Sequence, residues 1–228
     1  MQTLAFRRAA SAVGVVVALI AAGSSSGDTQ PSAIHPERVV EGNVITSARD
    51  PHVRIELPAS VRYVGADRWV LYDVADCELH AFVDADQHKN VQRRYWIQFE
   101  SYVATRPELH HEYDSPRHTS IGGLDFYVDT WVTPSDAKDR PGSDTEHIKA
   151  LVRAKGYKPP AAWMSVRLVH LLDERKRQEL MIIYSEDVAT TGISAADLGE
   201  GGKAHDQWPV IADGLLDRAK QRISLRAL

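Results

Sequence analysis

The chain has 228 residues, of which 43% are apolar, with 27 Lys and Arg set against 31 Asp and Glu. A net charge of −4 excludes the basic footprint that nucleic acids and anionic membranes require. A lone cysteine, Cys77, excludes an internal disulfide, yet a chain of this length buries a core without one.

In chain order, Arg7 and Arg8 precede an uncharged run from Ala9 to Gly23, followed by small and polar residues. That pattern predicts a secretory signal peptide over 1–23, with cleavage after Ala22 or Gly23. The apolar run is too short to span a bilayer, so a secreted or periplasmic protein with no membrane span after cleavage is expected. Losing Arg7 and Arg8 takes the net charge from −4 to −6. Residues 24–50 are polar, carry Pro31 and Pro36 and lack periodicity, which predicts a flexible leader.

From residue 52 the runs HVRIELP, VRYVG, RWVLYDV and ELHAFVDA read as short strands separated by turn residues. Cys77 lies between two of these and reads as a small buried apolar residue. The run 91–103 alternates strongly: Val91, Tyr95, Ile97, Phe99 and Val103 on one side, Gln92, Arg94, Trp96, Gln98, Glu100 and Tyr102 on the other. The run 124–132 repeats the pattern, with Leu124, Phe126, Val128 and Val132 against Asp125, Tyr127, Asp129 and Trp131. A hairpin of these two strands keeps both apolar faces together when Phe99 lies opposite Leu124 and Arg94 opposite Asp129.

Between them lies RPELHHEYDSPRH, 106–118, which supplies His110, His111, Glu112, Asp114 and His118 as candidate catalytic groups. Adjacent His110 and His111 diverge in an extended chain, and no His-Glu-x-x-His spacing is present, so no metal set is assembled from this stretch alone. A solvated hairpin loop is the plainer reading, although a connection this long is often functional. The polar and aromatic face of the two strands is the second candidate, with Arg94, Trp96, Tyr102, Tyr127, Asp129 and Trp131 as ligand-binding residues. So many large aromatics imply a face that is either covered or shaped into a groove.

PGSDTEHIKALVRAKGYKPP predicts a helix capped by Ser143 and Glu146 and stopped by Gly156. Strands are predicted at 163–173 and 178–187, the second apolar without alternation and therefore central. His80 and His170 read as satisfied core histidines. GEGGKAHD lacks phosphate-loop spacing, no Gly-x-Ser-x-Gly is present, and a last helix is expected over about 207–225.

These elements predict a single α+β domain over 51–228, an antiparallel sheet packed by at least two helices, the last one C-terminal. The expected function is non-catalytic binding of a small amphipathic ligand or a protein partner between sheet and helix. The alternative is a metal-assisted or acid/base hydrolase using the 106–118 loop with His80 or His170, and a third reading is a structural envelope protein. The sequence names no cofactor.

Overall fold

The computed structural model describes residues 35–228; the predicted signal peptide and residues 24–34 of the predicted leader lie outside the described residues. The described chain is mostly β, which overturns the α+β expectation: two antiparallel sheets carry the architecture and the three helices are short. The small sheet has the order β1 (Val39–Glu41), β2 (Val44–Ser47), β3 (Val53–Glu56) and β11 (Ser224–Ala227). The large sheet runs β4 (Arg62–Leu71), β5 (Ala75–Ala85), β6 (Val91–Tyr102), β10 (Gln178–Asp187), β9 (Ala162–Leu171), β8 (Leu124–Pro134) and β7 (Arg117–Ile121).

The error in fold class has a local cause. Strands β1, β2 and β11 are too short to show alternation, and two of them fall in the stretch read as leader. Gly42 and Asn43 between β1 and β2 form a two-residue hairpin turn, with Gly42 at φ +61 where an L side chain is strained. The small sheet packs against the large one where the sequence reading expected only helices.

Two cores follow from strand alternation. On one face of the large sheet, Phe82, Ile97, Phe99, Leu168, Leu180 and Ile182 pack with Ile45, Val53 and Ile55 of the small sheet. Leu215, Leu216 and Ala219 of the last helix, Trp208–Arg222, join this core. On the other face, Leu79, Ala81, Trp96, Val169, Met181 and Ile183 pack with Ile148 and Val152 of α1 (Asp144–Ala154). Each such fully buried aliphatic side chain contributes roughly 1.5–3 kcal/mol. In α1 the predicted cap is half formed. Ser143 makes no side-chain cap, while the Glu146 carboxylate accepts the Gly142 N–H at 2.6 Å.

The predicted hairpin is also corrected. Strands β6 and β8 do not pair, because β10 and β9 lie between them. Arg94 lies opposite Ser185 and Asp129 opposite Arg167. The central place belongs to β10, whose residues 179–186 are all buried, so the most apolar strand excludes the two alternating strands from each other. Parity survives the change: through the intervening registers, Arg94, Trp96, Asp129 and Trp131 still share one face.

Candidate functional site

The segment 103–116, which joins β6 to β7, is a strap across that shared face. Strand β6 is central and β7 is the edge, so the chain must cross β10, β9 and β8. Four strand spacings of about 4.8 Å come to roughly 19 Å. Fourteen residues reach much further than that, and the surplus is taken up in turns over 103–109. The neighbouring β9–β10 turn ties the strap down. Arg177 donates to the carbonyls of Tyr102, Val103, Arg106 and Leu109 at 2.7–3.2 Å, and the His111 N–H donates to the Lys176 carbonyl at 2.7 Å. Further along, the Ser115 hydroxyl donates to Asp129 at 2.6 Å, and Asp129 is paired with Arg167, whose guanidinium covers the Tyr113 ring.

Under the strap, alternation on β6 and β10 brings Glu100 and Glu179 directly opposite each other, both buried. Cys77 of β5 lies opposite Glu100 on the other side. His111 enters from above, its Nδ1 3.0 Å from Glu179 Oε2, and the Tyr113 hydroxyl donates to that same oxygen at 2.6 Å. Gln98 donates to Glu100 at 3.1 Å and itself accepts the Trp96 indole N–H at 2.9 Å. One ligand atom each from Glu100, His111 and Glu179 lies within 4.8 Å of the others. Donors around an ion bound at about 2.0–2.2 Å are roughly 3–4 Å apart, so modest side-chain rotation closes the set.

Electrostatics explain why this arrangement points to a ligand. Like charges directly opposite across a strand pair are destabilising, and burial strengthens the repulsion. The surroundings push in the same direction. Burial first, then the Glu179 carboxylate, raise the Tyr113 phenol well above its ordinary range. Burial and then Glu100 raise the Cys77 thiol, which stays protonated. A cation between the carboxylates offsets their mutual repulsion.

No protein-family model, no curated protein and no solved structure matches this chain.

Of the five candidate catalytic residues, only His111 reaches this centre. His110 and His111 diverge: His111 is buried, while His110 is exposed and pairs with the exposed Glu112 at 2.9 Å. Asp114 is exposed, and His118 lies on β7 against the Tyr127 ring. The six candidate ligand-binding residues line the covered face. Arg94 is buried, bonded to Ser185 and placed over Trp96 and Trp163, and burial pushes its guanidinium down to about 10. The Tyr102 ring packs tilted against His111 with centroids 4.5 Å apart, Tyr127 lies beside Tyr113, and Trp131 is half-buried on the same face. The sequence reading placed Glu100 on this face but did not single it out, and it missed Glu179 and Tyr113. The only available signal for Glu179 was a charged residue directly before the apolar run Leu180–Tyr184.

A second feature occupies the opposite face, at the same end of the sheet. A cleft of about 560 Å³ is bordered by Arg38, Arg68, Glu78, Phe99, Leu172 and Gln178. Glu100 and Glu179 border it too, but alternation turns their carboxylates to the strap side. Buried Glu78 accepts the backbone N–H groups of Glu37 and Arg38 and the Arg38 guanidinium, and lies 2.8 Å from His80 Nε2. Burial alone would raise the Glu78 carboxyl, but His80, the two N–H groups and Arg38 outweigh it and hold it at about 2. Tyr63 closes the chain 3.3 Å from His80 Nδ1, its phenol pushed up to about 12 by burial and then by Glu78. His170 contacts the Asp125 carbonyl at 2.9 Å and borders another cleft, of about 380 Å³, together with His118. The histidines thus have separate partners, and among the described residues only His111 belongs to a metal-capable group.

Proposed function

We propose that this chain is a metal-binding protein that holds one ion between Glu100, His111 and Glu179, closed over by the strap, and performs no covalent chemistry. The observation that carries the reading is the buried set of two directly opposed carboxylates and an imidazole, with ligand atoms within 4.8 Å of one another. Imidazole with carboxylate suits zinc, iron or manganese better than calcium or magnesium, which take oxygen ligands throughout. His80, His110, His118 and His170 join no metal-capable group among the described residues, which counts against the hydrolase reading. A closed site also leaves little room for a substrate beside the ion.

Among the described residues no helix is long and apolar enough to cross a membrane. Export of the chain is part of the proposal and rests on the sequence of residues 1–23. A second reading, a small amphipathic ligand, is favoured by the 560 Å³ cleft, where Phe99 and Leu172 offer apolar surface beside Arg38 and Arg68.

Equilibrium dialysis of the purified chain against Zn²⁺, followed by elemental analysis, tests the proposal. One equivalent is expected to be retained, falling at least about tenfold in affinity for His111→Ala. Wild-type protein that retains no ion, or His111→Ala protein that retains it equally well, overturns the reading.

A further inference from the structure

Arg94 projects from β6 on the strap side of the large sheet and is only 9% exposed. Among the described residues no carboxylate forms an ion pair with it. A guanidinium carries five N–H donors, yet the one hydrogen bond that Arg94 makes among the described residues is from Nη2 to Ser185 Oγ at 3.3 Å, and Nε is buried with no acceptor. Burial pushes the guanidinium down to about 10, and Asp139, which opposes that shift from further off, is itself tied to Lys149 at 2.8 Å. The Trp163 and Trp96 rings, 5.0 and 5.8 Å from the guanidinium carbon, attract the cation but bring no net charge.

The neighbouring strands are also short of acceptors. Ser185 lies opposite Arg94 on β10 and Ser165 opposite Ser185 on β9, both buried, with their hydroxyls 2.9 Å apart. One of the two hydroxyl protons serves that bond, and the other has no acceptor among the described residues. A buried place that offers donors and an uncompensated positive charge favours an acceptor that is itself negative. Water supplies lone pairs but no charge. A monoanion balances one guanidinium, whereas a phosphate dianion leaves a negative charge over in the same place. The Nε and Nη2 edge presents two parallel N–H groups that match the two oxygens of a carboxylate, and Nη2 keeps a second proton for Ser185. We infer that Arg94, with Ser185 and Ser165 beside it, anchors a carboxylate group of a ligand between Trp96 and Trp163. The site is separate from the metal centre: six residues of β6, about 20 Å, lie between Arg94 and Glu100.

The test is tryptophan emission of the full chain, freed of metal, because two of its five indoles flank the guanidinium. Sodium acetate is expected to change the emission saturably, while sodium chloride at equal ionic strength and sodium phosphate are not. Arg94→Lys keeps the charge but loses the fork, and is expected to bind acetate at least about tenfold more weakly. Arg94→Met is expected to give no saturable response. A cooperative thermal melt shows that each variant is folded, and the wild-type preference for acetate over chloride and phosphate tests the inference without any variant. Sodium octanoate, titrated in parallel, separates two sources of the carboxylate. Binding at least about tenfold tighter than acetate, and lost in Arg94→Met, supports the head group of an amphipathic molecule, and equal binding supports a small free acid. Emission that neither carboxylate changes saturably, a response to chloride or phosphate as strong as that to acetate, or a response retained by folded Arg94→Met overturns the inference and leaves the metal reading untouched.

Discussion

Glu100 of β6 and Glu179 of β10 face each other directly across two central strands, and both are buried. Two buried carboxylates repel unless a proton, a hydrogen-bonding partner or an ion offsets their charge. Glu100→Gln keeps the shape and the acceptor oxygen while removing one charge. In the metal-free protein at neutral pH it is expected to raise stability by about 1–2 kcal/mol, read as a higher urea midpoint at unchanged slope. The same variant is expected to bind Zn²⁺ at least about 100-fold more weakly. A purely structural pair would show lower stability and no change in ion retention.

Arg177 fastens the strap through four backbone carbonyls. Arg177→Ala is expected to cost about 2 kcal/mol and to speed amide hydrogen exchange selectively over 103–113. Ion affinity should fall with it, because His111 is then no longer held over the carboxylates. Exchange that rises evenly across the sheet would show that Arg177 supports the fold rather than the strap.

Glu78 fixes the chain leading into β1 against the large sheet. Its carboxyl is held at about 2, below the ordinary 4.5, so its stabilising effect is complete above about pH 4.5 and is lost as pH falls through about 2. That shift is worth at most about 3 kcal/mol. Glu78→Gln is therefore expected to lower stability at pH 7 by about 2–3 kcal/mol and to flatten the stability profile between pH 4.5 and 2. An acid limb unchanged from wild type would show that other carboxylates govern it.

Arg94 presents the opposite case, a buried guanidinium packed against Trp96 and Trp163 and bonded to Ser185, with no ion pair to a carboxylate among the described residues. Burial lowers its proton affinity, so the charged form costs stability at neutral pH. Arg94→Met is expected to be neutral or to stabilise by about 1 kcal/mol in thermal melts. A loss above about 3 kcal/mol would mean that the two indoles supply much more than packing.

The sequence legibly encodes what depends on period two. The run Val91 to Tyr102 declares its two faces, and the strand at 178–187 and the helix over Asp144–Ala154 appear where the apolar pattern puts them. What it conceals depends on pairing. Whether Glu100 meets Asp125 or Glu179 turns on which strand lies beside β6, and parity alone allows either. His111 shows the same limit: the prediction that it diverges from His110 needs only local geometry, but the partner it reaches lies 68 residues away on β10. Short strands such as Val39–Glu41 and Ser224–Ala227 carry too few residues for any period, so the small sheet is visible only once its partners are in place.

The central claim is an ion between Glu100, His111 and Glu179. Its most direct test is anomalous scattering at the zinc absorption edge from crystals of the full chain grown with one equivalent of Zn²⁺. A single strong peak is expected within about 2.0–2.3 Å of a carboxylate oxygen from each glutamate and a ring nitrogen of His111. A peak only in the cleft bordered by His118 and His170, or well-ordered density at the three side chains with no peak between them, would contradict it.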